Sequence, residues 1–277
     1  MESYNPEYDD KFFPWIKIVG IGKIGASASN YFGEVNNEIF PERLIISDKD
    51  AVADSRDKIS NLIAGCVAGC AWLFVITDVE DLEVAETFVK SIDKSELLIT
   101  FLILCKSAED ARLADISKSF GTWIILPENK IAETGLTRNE LIYRTVDMTT
   151  GIIPLMKKGG NFIGMGLEIV IEVLGNRGRA CIGFGESLDA ENNSLQAVKN
   201  ALKSPLFIED IGKAKKALLV FFGNYEFLSM LEMNEAASFL DKLYQPEDSW
   251  TYTVWQVNPD ETAADGVAAF VLATDFK

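Results

Sequence analysis

Between Trp15 and Leu126 the sequence returns five times to a short run of apolar, largely β-branched residues, and stretches of helical spacing fill most of the gaps. The runs begin near Trp15 and then occupy Arg43 to Ser47 (RLIIS), Ala71 to Thr77 (AWLFVIT), Leu97 to Cys105 (LLITFLILC) and Thr122 to Leu126 (TWIIL), the last stopped by Pro127. Runs that are apolar throughout, rather than at alternate positions, suit strands covered on both faces. Helices in the intervals, predicted over 26–35, 52–63, 82–92 and 108–120, would supply that cover. The expected product is a doubly wound parallel α/β sheet.

The first of these runs leads straight into glycines. Ile16 to Asn30 reads IKIVGIGKIGASASN, a strand, a tight turn through Gly20, Gly22 and Gly25, and small residues that suit a helix start. Glycines let backbone N–H groups approach a ligand, and a helix N-terminus carries partial positive charge, so the arrangement is suited to an anion, usually a phosphate. The spacing also satisfies G-x-G-x-x-G, and Asp48 ends the next apolar run, where a dinucleotide site would want a carboxylate for a ribose. A turn of this kind also serves simply to bring a strand and a helix close together, so the remainder of the chain has to choose between the two uses.

Beyond Pro127 the pattern changes. Thr137-x-x-Glu140 is a capping box, and a long helix is predicted from there past Val146 toward Pro154. After Gly159-Gly160 the expected order is helix at 167–174, strand at 179–184, helix at 194–202, strand at 217–222 and helix at 228–243 with a second box, Ser229-x-x-Glu232. Two closing strands, Trp250 to Val257 and Val267 to Thr274, are expected to pair as a hairpin. The domain reading is therefore a flexible acidic arm at 1–11, a nucleotide-binding-type domain at 12–135, a central connecting helix at 136–158 and an α+β domain at 159–277.

Composition limits the chemistry. The net charge of −16 opposes non-specific association with nucleic acid or an anionic membrane, and the absence of histidine removes the commonest acid–base and metal-binding side chain. Cys66, Cys70, Cys105 and Cys181 are scattered, mostly within apolar runs and without C-x-x-C spacing, which reads as buried small hydrophobes rather than zinc ligands. No metal site is expected. Without a signal pattern before Phe12 or an apolar run of membrane-spanning length, the expected location is the cytoplasm.

Several ordered segments resemble FtsZ, the bacterial homologue of tubulin. Ala180 to Glu186 (ACIGFGE) is similar to that family's strand ending in G-x-G-E, and Ala197 to Phe207 (AVKNALKSPLF) to its A-x-x-A-x-x-x-S-P-L segment. Ser229 to Ala237 (SMLEMNEAA) resembles its S-L-x-E-V-N-E-A-A helix, and Phe270 to Phe276 (FVLATDF) its closing strand. In the first half, Ile16 to Asn30 matches its first phosphate loop and Ile124 to Ile131 (IILPENKI) its I-P-N-D-R-L segment. The resemblance implies a tubulin-like fold, a GTP/GDP site at the glycine turn, and head-to-tail self-association.

The departures concern that site. Where the family has a G-G-G-T-G-T-G loop around the phosphates, this chain has Asp78-Val79-Glu80-Asp81-Leu82-Glu83, acids that favour their own helix N-terminus and repel phosphate. The segment between Asp50 and Trp72 is too short for the loop that covers the γ-phosphate in the family. The family's water-positioning N-x-D-x-x-D loop is replaced by Asn161 to Glu168 (NFIGMGLE), leaving Glu168 as the one weak catalytic candidate. Nucleotide contacts that would survive are Gly20, Gly22 and Gly25, with Lys23 in place of a family glycine and Asn139 where the family presents an acid or amide to the guanine.

The expectation is a non-catalytic FtsZ/tubulin-like scaffold or regulator of a cell-division or cytoskeletal polymer. It would associate with itself or an FtsZ-like homologue, with GTP hydrolysis lost and no resident cofactor. GTP or GDP is the ligand that the surviving turn would take. Direct membrane recruitment is not expected, because no family linker or C-terminal peptide follows in the sequence. Two alternatives stay open: a GTPase with a rebuilt site, and an NAD-type dinucleotide-binding protein using Gly20, Gly22, Gly25 and Asp48.

Overall fold

A computed structural model of the chain describes residues 16–35, 43–46, 72–92, 99–105, 120–150, 167–175, 177–188, 193–223, 227–244, 250–257 and 266–276. Asp48, Cys66, Cys70, the segment 50–71, the predicted helices at 52–63 and 108–120, and the start of the NFIGMGLE segment lie outside them.

The first five strands form as expected: β1 (Ile16–Ile21), β2 (Arg43–Ile46), β3 (Trp72–Asp78), β4 (Ile99–Cys105) and β5 (Thr122–Leu126). They pair in parallel in the order β2-β1-β3-β4-β5. Between them α1 (Gly22–Val35) covers one face and α2 (Leu82–Lys90) the other, the two-sided cover that the continuous apolar runs require. A short helix, α3 (Glu128–Ile131), follows β5 and leads to the central helix α4 (Arg138–Thr150).

The sheet does not end there. After α5 (Leu167–Leu174), strand β6 (Gly178–Ser187) joins β5 in parallel, with Thr122 opposite Gly178. Then come α6 (Asn193–Leu202), β7 (Lys216–Gly223), α7 (Met230–Asp241), β8 (Trp250–Val257) and β9 (Val267–Thr274), giving the order β2-β1-β3-β4-β5-β6-β9-β7-β8 among the described residues. The hairpin expected of β8 and β9 is not formed. Instead β9 inserts antiparallel between β6 and β7, while β8 pairs in parallel with the outer side of β7.

Side-chain pattern accounts for the exchange. In β9, VAAFVLAT, every residue but Ala268 is buried, so it needs neighbours on both sides. β8, WTYTVWQV, alternates polar and aromatic residues, and its leading Trp250 is exposed, which suits an edge.

One apolar layer runs along a whole face of the sheet and ignores the boundary between the halves. Phe32, Phe74, Leu141, Val146, Leu174, Ile182, Leu218 and Phe270 all belong to it. The opposite face carries two separate layers, one under α2 around Val75 and Phe88 and one under α6 and α7 around Val198, Phe221 and Leu240.

The halves are also joined through the C-terminal end of α5, whose last carbonyls have no partner within the helix. Thr274 Oγ1 donates to the Val173 carbonyl at 2.9 Å, and Thr122 Oγ1 donates to that of Leu174, so strands from both halves hold one helix end. Glu172 on the same helix accepts from Lys216 at 3.0 Å and Tyr252 at 2.9 Å. Hydrogen bonds from Lys216 and then Tyr252 hold its carboxyl below the usual carboxylate range. Lys216, itself buried, also lies 4.7 Å from the Trp250 ring centroid. Cys181 in β6 is buried as expected, which pushes its thiol up to about 12.

Candidate functional site

The head of α1 is more abrupt than the sequence predicts. The helix starts at Gly22, immediately after β1, so Lys23, Ile24 and Gly25 form its first turn and not a loop. Only Gly22 makes the turn, with φ at +71°, a left-handed conformation that costs glycine little. Gly20 and Gly25 serve a different purpose. A β-carbon on Gly20 would overlap the Gly25 carbonyl, and one on Gly25 would overlap the Ile76 carbonyl and lie 2.7 Å from the carbonyl carbon of Gly20. The two glycines therefore let the first turn of α1 lie directly on β1 and β3.

The neighbouring turn, between β3 and α2, carries the four acids. Asp78 Oδ1 accepts from the backbone N–H groups of Glu80 at 2.7 Å and Asp81 at 3.1 Å, which folds the chain back on itself. Asp81 is the N-cap residue of α2, but its side chain makes no capping hydrogen bond there. The acids of this turn therefore do not all act as caps of the helix they precede. The Asp81 carboxylate instead reaches α1: a β-carbon on Gly22 would overlap its Oδ2 and lie 3.2 Å from its Cβ. Asp81 is only 9% exposed, whereas Glu80 and Glu83 face solvent. No acid of α1 itself lies in its first turn, so the charge placed there comes from 59 residues further along the chain.

Lys23 is exposed on that first turn. Asn139, on the first turn of α4, donates from Nδ2 to Ser27 Oγ at 3.0 Å, which brings its amide to α1 one turn beyond Lys23. Gly20, Gly22, Lys23, Gly25 and Asn139 are thus gathered around one helix start. Glu168 is not part of that group. It is the second residue of α5, a helix that packs on β4 and β7, whereas α1 packs on β1, β2, β3 and α4.

The Thr137 box is formed. The Thr137 N–H donates to Glu140 Oε2 at 2.7 Å and the Glu140 N–H to Thr137 Oγ1 at 3.3 Å. The Thr137 backbone N–H is the main cause holding the Glu140 carboxyl below its usual range. Asn139 lies within this cap yet points its amide to Ser27, a partner that nothing in the sequence spacing identifies. The Asp81–Gly22 contact was equally hidden. Its one signal in the sequence was an acid where the β3 turn would otherwise bring glycine beside the first loop.

No family model matches the chain. In sequence it is 28% identical over 171 residues to cell division protein FtsZ 1 of Thermococcus kodakarensis, covering 58% of this chain and 43% of that one. It is 29% identical over 178 residues to FtsZ of Helicobacter pylori, covering 61% and 44%. The chain thus matches less than half the length of these curated relatives. Among solved structures, an empty FtsZ dimer of M. jannaschii superposes with a TM-score of 0.70 at 19% identity, covering 94% of this chain and 88% of the other. A GTPγS-bound protofilament of CetZ2 from Haloferax volcanii gives 0.68 at 12% identity, covering 95% and 93%. GDP-form protofilaments of Bacillus thuringiensis TubZ give 0.66 at 10% identity, covering 96% and 84%. The fold is that of FtsZ and tubulin, and the curated homologues are FtsZ proteins.

Proposed function

We propose that this FtsZ-like chain is a non-catalytic, self-associating scaffold or regulator of a cell-division or cytoskeletal polymer in the cytoplasm, and that it works without hydrolysing GTP. The observation that carries the reading is the β3–α2 turn. Its acids stand beside the glycine turn at the head of α1, which is shaped to cradle a phosphate, and one of them, Asp81, is packed against that turn. A carboxylate there repels a phosphate and offers it no donor. The fold itself is retained from one edge of the sheet to the other, which favours a role carried by surfaces. Head-to-tail contacts between copies, or with an FtsZ-like homologue, would build open filaments. Protofilaments and dimers among the structural neighbours support that choice of partner.

Sedimentation and negative-stain microscopy of the full chain with and without GTP test this directly. Assembly is expected to be the same in both conditions, with phosphate release at background. Monomers at every concentration would remove the filament version, and GTP-dependent assembly with phosphate release would remove the non-catalytic one.

A second reading, a GTP-binding protein with a rebuilt site, draws on one observation. Asn139 is held beside α1, where an amide is available to a bound base. Purified protein carrying close to one GDP or GTP per chain, identified by chromatography and mass, would favour it.

A further inference from the structure

The position of Asp81 bears on what the head of α1 can hold, independently of what the protein assembles with. A helix N-terminus entered through a glycine turn attracts an anion, because several backbone N–H groups there have no partner within the helix. In this protein an anion is already present. Asp81 Oδ2 lies against Gly22, the first residue of α1 and the one residue of the turn with a left-handed backbone. Three features hold it there. The Asp78 side chain fixes the Asp81 N–H at 3.1 Å, the Asp81 carbonyl accepts from Ala85 at 3.1 Å as α2 begins, and buried Val79 and Leu82 anchor the turn on either side. The carboxylate is enclosed, at 9% exposure, and makes no capping hydrogen bond to its own helix.

We propose that Asp81 is the residue that decides what the α1 head accepts: its carboxylate occupies the seat of a phosphate and excludes nucleotide di- and triphosphates from it. The inference deepens the nucleotide-independent reading above and rests on it. It adds that the exclusion is an active contact made by one side chain, and that the seat beneath persists. The glycines support this. Gly20 and Gly25 keep the helix start pressed on β1 and β3 by contacts that do not involve Asp81, so removal of its carboxylate leaves the turn in place.

The test uses the full chain as wild type, Asp81→Ala and Asp81→Asn, titrated with inorganic pyrophosphate and with GDP by calorimetry. Asp81→Ala should bind pyrophosphate at least about tenfold more tightly than wild type, the scale expected when a charge at a helix N-terminus is exchanged for a ligand. Asp81→Asn, which keeps the bulk and loses the charge, should fall between them. Equal affinity of wild type and Asp81→Ala, or no binding by either, would overturn the proposal.

The contact itself is checked without a ligand by combining Gly22→Ala with Asp81→Ala. Gly22→Ala should raise the unfolding equilibrium constant at least about threefold less in the Asp81→Ala background, because the overlap with the carboxylate is gone there and only the backbone strain and the 3.2 Å approach to the retained β-carbon remain. Full additivity would overturn the contact. The outcomes separate this proposal from the functional reading. Wild type that assembles without GTP while Asp81→Ala binds no pyrophosphate sinks only the exclusion. Wild type that stays monomeric and binds no GDP, while Asp81→Ala gains pyrophosphate binding, sinks only the self-assembling reading, and wild type that carries GDP sinks both.

Discussion

Two helices begin side by side in this protein, and their first turns acquire negative charge by opposite routes. The central helix α4 draws on its own sequence: Thr137 and Glu140, three residues apart, exchange backbone hydrogen bonds at 2.7 and 3.3 Å. α1 has no acid in its first turn and receives the Asp81 carboxylate from the far side of β3. A local cap depends only on spacing and survives wherever the helix goes. A remote one exists only if strand and turn are stacked correctly, so it reports on tertiary structure. The same difference separates a cap, which stabilises a helix, from a plug, which also determines what else can bind.

The largest effect should come from separating α1 from the sheet that brings Asp81 to it. Gly25→Val would drive a side chain into the Ile76 carbonyl and the Gly20 backbone, neither of which can retreat without breaking the β1–β3 ladder. The expected loss is about 3 kcal/mol or more in urea unfolding, at the upper end for overpacking. Gly135→Ala is the control. It has a left-handed φ of +72° but open space around the missing β-carbon, so it should cost only the backbone strain of about 1 kcal/mol. If the two substitutions cost the same, the glycines at the α1 head are there for turning and not for close packing.

The contrast also sets what was legible in the sequence. The five parallel strands could be read because each is apolar on both faces and bounded by helical spacing, and the α4 box because its partners are three residues apart. Consecutive in sequence, β8 and β9 suggest a hairpin, yet β9 is apolar on both faces and β8 is not, and that asymmetry places β9 inside the sheet. At the site, the glycines and Asn139 were recognised as residue types. Their partners, the Ile76 carbonyl, Ser27 and Asp81, lie 51 to 112 positions away and have no periodicity to reveal them. The acids of the β3 turn were seen, but the direction in which Asp81 points depends on the Asp78 side chain holding the turn.

A medium effect should appear further along α4, where charge meets burial without a helix end to help. Burial pushes the Asp147 carboxyl up from the usual 3.8 to about 6. The native state therefore holds a proton that the unfolded chain has released over that range. Stability from this group is fully present below about pH 4 and lost as pH rises through about 6. Because the residue is partly exposed, Asp147→Asn should stabilise the protein at pH 7 by about 1–2 kcal/mol, less than the full shift implies, and change little at pH 4. Glu140 has the opposite sign: its carboxyl is held low, so its contribution is present above the usual carboxylate range and fades as pH falls through its depressed value. Thermal unfolding from pH 2 to 7 with each residue changed to its amide should give slopes that shift in opposite directions, below the usual carboxylate range for Glu140 and between about pH 4 and 6 for Asp147. Parallel shifts would mean that burial, and not position along the helix, governs both.

The smallest effect separates a formed cap from one that has only the right spelling. Ser229-x-x-Glu232 has the same spacing as the Thr137 box, and Ser229 is the N-cap of α7 in extended conformation, yet its side chain makes no capping hydrogen bond. Thr137→Ala should therefore cost about 1 kcal/mol, the usual price of a lost N-cap. Ser229→Ala should stay within about 0.5 kcal/mol of wild type, as for a surface change away from any specific contact. A loss at Ser229 equal to that at Thr137 would show that the α7 box closes in solution, and that a local cap can be read from spacing alone. A loss at Thr137 alone would mean that even this most local signal depends on where the preceding chain leaves the residue. At Thr137, α3 and Leu136 deliver it to α4, with the Leu136 N–H held by Thr134 Oγ1 at 3.2 Å.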